Sequence, residues 1–142
     1  MILLASSSRA SDCYFSLVKG ACWKDYTVTV DIMDAVSGKK LVSVTIPENK
    51  VWGREKFSCS ASQSLSFDAY FTPTIWEADK NKHYSGKSTW MLPAKLEKGK
   101  TAWNVTLCFP REFSEVPAPP TATNDCACEI DKLPPLILPS SD

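Results

Sequence analysis

Histidine occurs once in the 142 residues, as His83, and no charge sign is in excess. Lys plus Arg and Asp plus Glu both total 16, so the formal net charge is zero. Nucleic-acid binding rests on a basic excess that neutralises phosphates, so no nucleic-acid partner is predicted. General acid–base chemistry draws first on histidine. His83 stands in a polar stretch and reads as exposed or structural. No strained nucleophile elbow and no nucleotide-binding glycine loop is present. C-x-x-C is missing, which removes the thioredoxin signal and the paired spacing of zinc sites. Asp79-Lys80-Asn81 opens like a calcium loop, but His83 stands where an oxygen ligand belongs and no glutamate closes the loop. No apolar run approaches the ~18 residues of a membrane span. The expectation is a chain with no cofactor, no metal and no enzymatic activity.

What is present suits one domain. Hydrophobic residues make up 44% and aromatics 11%. A domain of this length buries roughly 70% of its unfolded surface. The six cysteines are Cys13, Cys22, Cys59, Cys108, Cys126 and Cys128. An even number in a short chain points to disulfides and an oxidising compartment. Cys126 and Cys128 are too close to pair with each other, so each is expected to reach back to the domain body, or one to stay free. The C-x-C pair could otherwise serve thiol exchange or metal binding. Met1 to Ala5 is apolar, and Ser8 and Ala10 are small, as at a signal-peptidase site. The localisation predicted is extracytoplasmic, periplasmic or secreted.

The body reads as strands. Residues 26–33 alternate, with Val28, Val30 and Ile32 on one face, and residues 41–46 alternate through Val42, Val44 and Ile46. Gly38 lies in the turn between them and Pro47 ends the second run. Residues 65–72 and 101–109 show the same period of two. Shorter strands are expected at 55–59, 74–77 and 87–92. Residues 78–86 read as an exposed loop or hairpin tip. About seven strands at spacings near ten residues predict an all-β, antiparallel β-sandwich, Ig-like or transthyretin-like.

Domain boundaries follow from composition. Residues 1–12 are expected to be a signal-peptide remnant or disordered N-terminus, 13–110 the sandwich, and 111–142 a proline-rich, cysteine-containing extension. Pro117, Pro119, Pro120, Pro134, Pro135 and Pro139 favour extended structure there. Leu133, Leu136, Ile137 and Leu138 make the extension either a cover for the core or a docking segment for a partner.

The strand–Ser-Gly-Lys-Lys–strand segment from Asp31 to Pro47 resembles the first hairpin of transthyretin-like and carboxypeptidase-regulatory-like sandwich modules. The resemblance spans 17 residues and implies architecture alone.

Five tryptophans stand at 23, 52, 76, 90 and 103. Aromatics that reach the surface anchor protein interfaces or stack on sugars. Trp52, Trp76, Tyr84 and Trp90, with Leu136 and Ile137, form the predicted binding surface. Lys80, Lys82, Lys87, Lys95, Lys98 and Lys100 crowd one stretch, either a solvated rim or a basic patch. Asn104-Val105-Thr106 is a glycosylation sequon, relevant in a eukaryotic secretory route. The functional expectation is a non-catalytic sandwich protein that binds a protein partner, such as an accessory component of a bacterial envelope or secretion assembly. The alternatives are a lectin-like module using the exposed aromatics, and a small secreted hydrolase or thiol-redox protein.

Overall fold

A computed structural model describes residues 11–119 and 127–136. The protein is an all-β sandwich of two sheets. Its eight strands are β1 (Ser11–Lys19), β2 (Thr27–Asp34), β3 (Lys40–Ile46), β4 (Trp52–Cys59), β5 (Ser64–Thr72), β6 (Tyr84–Ser85), β7 (Trp90–Met91) and β8 (Ala102–Phe109). The small sheet has the order β4-β1-β8. The large one runs β3-β2-β5-β6, with β7 also paired to β5. β1 and β8, from opposite ends of the chain, pair in parallel. The other strand pairs are antiparallel.

The core follows the period of two. Val28, Val30 and Ile32 of β2 are fully buried, as are Phe15 and Leu17 of β1 and Val105 and Phe109 of β8. Each such side chain contributes ~1.5–3 kcal/mol on burial. At one end Trp23 packs edge-on against Phe71, Phe109 and Tyr26, with ring centroids 4.6, 4.9 and 5.1 Å away. On one side the sheets meet closely at β3 and β4. Only glycine fits at Gly53, because a β-carbon there would stand 2.9 Å from Val44 Cγ1.

β1 departs from the sequence expectation, which assigned Ser11 and Asp12 to an N-terminal remnant. Both are paired, with Cys59 and Ser58 of β4. Residues 1–10 lie outside the described part of the chain. β1 is the central strand of its sheet and is buried on both faces, so its sequence shows no alternation. Phe15 and Leu17 face the core, while Ser16 and Val18 on the other face are also buried.

The cover on that outer face is the C-terminal segment. Cys108 and Cys128 form a disulfide. Arg54 Nη2 donates to the Pro134 carbonyl at 2.8 Å, and its Nε donates to Ser16 Oγ at 2.7 Å. Residues 127–136 therefore pack on the domain, the first of the two roles expected for this extension. A second disulfide joins Cys13 of β1 to Cys59 of β4. Cys22 is disulfide-bonded as well. Cys126 lies outside the described residues.

Two expected short strands change. Residues 74–77 form no strand, and Trp76 instead leads into a short 3₁₀ turn, Glu77–Asp79. The strand expected over 87–92 shrinks to Trp90–Met91, while Tyr84 and Ser85, expected in a loop, form β6.

Candidate binding groove

β8 is bonded along one side. The Gly20 N–H donates to the Phe109 carbonyl at 2.7 Å, which turns Phe109 toward β1. On the opposite side, the Cys108 N–H donates to Glu112 Oε2 at 3.2 Å and the Cys108 carbonyl accepts from the Glu112 N–H at 3.0 Å. Backbone groups alternate sides along a strand. Ala102, Asn104 and Thr106 thus aim their N–H and C=O groups away from β1. Among the described residues no strand pairs with them. Glu112 closes this edge at Cys108, and among the described residues no other segment bonds to it.

The facing wall is built from β6, β7 and the loop between them. Both strands are two residues long and both pair with β5, Tyr84 opposite Ala69 and Trp90 opposite Leu65. Between them the chain leaves β5 and turns toward the small sheet. Gly86 permits this path, because a β-carbon there would lie 3.2 Å from Phe67 Cβ and Cδ2. The segment after β8 ties the two sheets together: the Lys87 N–H donates to the Glu112 carbonyl at 2.8 Å and the Ser114 N–H to the Ser85 carbonyl at 2.9 Å.

Below this loop lies a hollow of about 380 Å³. Phe67 of β5, Leu107 of β8 and Trp90 of β7 form its apolar part, with Lys87 and Arg111 beside them. A second hollow of about 460 Å³ sits at the start of β8, against Trp103, Asn104, Pro93 and Leu136, with Lys95, Lys100 and Glu97 around it. Both volumes fall in the range of about 300–1,000 Å³ seen for ligand sites. Arg111 pairs with Glu112 at 3.1 Å. Lys87, Lys95 and Lys100 are exposed. Among the described residues they have no carboxylate partner. Beside the β8 edge, which no strand pairs among the described residues, the hollow under the loop thus forms a groove with an apolar floor and a basic rim, and the second hollow lies apart at the start of the strand.

The predicted surface residues do not gather in one place. Trp90 is half-buried in the first hollow and Leu136 half-buried in the second. Trp52 starts β4, at the far edge of the small sheet, with the Arg54 guanidinium 5.4 Å over its ring. Trp76 is 48% exposed in the loop after β5. Tyr84 was expected at the surface, but it is buried, stacked on Phe71 at 5.7 Å. Burial, helped by the nearby Asp79 charge, pushes its phenol pKa up. Pairing with Ala69 draws it into the core, which the surrounding polar residues did not signal. Ile137 lies outside the described residues.

The lysine cluster disperses as well. Lys82 lies over the Tyr84 ring, Lys87 reaches the groove, and Lys95 and Lys100 line the second hollow. His83 is exposed; its Nδ1 pairs with the Asp68 carboxylate and its ring lies 4.7 Å from that of Tyr70. Asn104 of the sequon is exposed on β8, with its Nδ2 donating to Thr106 Oγ1 at 3.1 Å. Among the described residues no helix is long and apolar enough to cross a membrane. Sequence reading missed the open β8 edge, although one signal was available: residues 102–109 contain neither a charge nor a proline.

No known protein family matches the chain, and no curated protein is similar to it.

Proposed function

We propose that the chain is a non-catalytic β-sandwich binding protein of an oxidising, extracytoplasmic compartment, and that it holds a protein partner in the groove beside β8. The groove carries this reading. Half-buried Trp90 offers apolar contact area in a concave site floored by the buried Phe67 and Leu107, and exposed Lys87 adds directional charge. Half-buried aromatics with a polar rim make the centres of protein interfaces. The Cys13–Cys59 and Cys108–Cys128 disulfides support the compartment. The docking role first considered for the C-terminal extension moves to this groove, since residues 127–136 are engaged with the small sheet. An accessory role in an envelope assembly suits such a module.

Photo-crosslinking in the native host tests the proposal. A benzoylphenylalanine at position 90 is expected to trap one discrete protein. The same group at Val36, 91% exposed in the β2–β3 turn, is expected to trap none. The adduct is expected to vanish when Lys87→Glu and Arg111→Glu are combined. Equal labelling from both positions, or none from position 90, overturns the groove as the partner site.

A further inference from the structure

Resting on that reading of the groove, we infer that the partner contributes an extended strand of alternating apolar and acidic residues that pairs with the open edge of β8. Four observations lead there.

The first is the backbone. Ala102, Asn104 and Thr106 each turn an N–H and a C=O away from β1, as the alternation from Cys108 requires, to a side where no strand pairs among the described residues. An unpaired edge is a template for another strand, and proteins block edges they do not use with charge, proline or a covering segment. The second is the sequence of that edge. β8 reads Ala-Trp-Asn-Val-Thr-Leu-Cys-Phe, without charge or proline. β4, at the other edge of the same sheet, carries Arg54, Glu55 and Lys56 in succession. The protection placed on one edge is missing from the other.

The third is the hollow under the loop. Leu107 points from β8 into the space between the sheets, where it meets Phe67 and Trp90. A strand added to β8 turns every second side chain into that space, which calls for apolar residues at alternate positions. The edge from Ala102 to Leu107, short of the Cys108 groups held by Glu112, accommodates a segment of about six residues at about 3.3 Å per residue.

The fourth is charge. Lys87 borders the groove and Lys95 and Lys100 the hollow at the start of β8, against Glu97 alone, because Arg111 and Glu112 pair with each other. This balance favours an acidic segment. It also disfavours a second copy of this chain, which would bring the same cations against themselves.

The test uses the full, oxidised chain and synthetic probes. Fluorescent octapeptides of alternating valine and glutamate, and of alternating valine and lysine, are titrated and followed by anisotropy. The glutamate peptide is expected to bind saturably and at least tenfold more tightly than the lysine peptide. Thr106→Pro removes an outward N–H without touching the ladder to β1, and is expected to weaken binding at least tenfold. Should that variant fail to fold, Lys87→Glu with Arg111→Glu serves instead and is expected to invert the preference toward the lysine peptide. Equal binding of both peptides, binding indifferent to both variants, or no binding overturns the strand-addition inference. So does a concentration-dependent dimer that Thr106→Pro dissolves, since a second copy would then hold the edge. A discrete adduct from position 90 with no peptide binding leaves the groove standing and removes only the added strand; loss of the adduct removes both.

Discussion

Lys19 reaches across the end of the sandwich to the backbone of Pro47, its ammonium donating to that carbonyl at 3.0 Å and to the Tyr26 carbonyl at 2.7 Å. The side chain continues the core-facing row of Cys13, Phe15 and Leu17, and the residue is only 2% exposed. A charged group there caps the core by satisfying carbonyls at the start of β2 and the end of β3. Desolvation lowers its pKa from 10.5 to about 8, against the opposing pull of Glu48 and Asp25.

The sign of the resulting pH dependence is fixed. The folded pKa lies below the unfolded one, so between about 8 and 10.5 the unfolded chain binds more protons. Stability therefore rises with pH through that window, and the gain is lost as pH falls back through 8. Its size is about 1–3 kcal/mol. Urea unfolding at pH 7, 8.5 and 10 is expected to show this rise in the wild type relative to Lys19→Met. Parallel curves for the two proteins would show that the ammonium is not desolvated.

Gly53 and Gly38 separate two reasons for glycine. Gly53 needs space, since its missing β-carbon lets β4 approach Val44 and Ile46 of the other sheet. Gly53→Val is expected to cost about 1–3 kcal/mol through overpacking. Gly38 has open space around it but a φ of +77°, so Gly38→Ala is expected to cost about 1–2 kcal/mol through backbone strain alone. Thermal unfolding measures both. Gly38→Asn, which tolerates that φ, is expected to recover most of the loss, while no L-residue recovers it at Gly53.

These contrasts also show what the sequence could reveal. The β2–β3 hairpin was legible because Val28, Val30 and Ile32 alternate with the polar Thr27, Thr29 and Asp31 and Gly38 marks the turn. β1 was not legible, because Ser16 and Val18 are buried by a segment more than a hundred residues later in the chain. Tyr84 looked exposed among Lys80, Lys82 and His83, and only its pairing with Ala69 places it inside. The groove depends on the same long-range fact: β8 becomes an edge because β1, from the other end of the chain, takes its inner side. Trp90 and the lysines of the rim were visible in the sequence, but their relation to β8 was not. The interval 74–77 looked strand-like from composition, yet after Pro73 the chain leaves the sheet.

Asp34 organises the β2–β3 turn. Its Oδ1 accepts the N–H groups of Val36 and Ser37 at 2.9 and 2.8 Å, and its Oδ2 accepts Gln63 Nε2 at 2.8 Å. The Gln63 bond first, then those from Ser37 and Val36, lowers its pKa from 3.8 to about 2. A depressed folded pKa gives stability that is present above 3.8 and lost as pH falls toward 2. The stability gap between wild type and Asp34→Asn is expected to close over that interval. Urea midpoints from pH 5 to 2 read it, and a gap that persists to pH 2 contradicts the assignment.

Ser16 and Arg54 form the polar centre of the covered face. Ser16 is fully buried, accepts Arg54 Nε at 2.7 Å, and donates to Asn104 Oδ1 at 3.3 Å. Arg54 then spends a second donor on the Pro134 carbonyl at 2.8 Å. One guanidinium thus links the central strand to the C-terminal segment, and its planar fork is suited to two partners at once. Lysine offers a point charge without that geometry, so Arg54→Lys is expected to behave nearly as Arg54→Ala. Each is expected to cost about 1–3 kcal/mol, because the buried Ser16 hydroxyl and the segment lose a charged partner. Ser16→Ala removes one end of the link. In a double-mutant cycle with Arg54→Ala, a coupling of about 1 kcal/mol or more is expected by denaturant unfolding. Additive single effects would mean that the two residues act independently and that Ser16 does not help to orient the guanidinium.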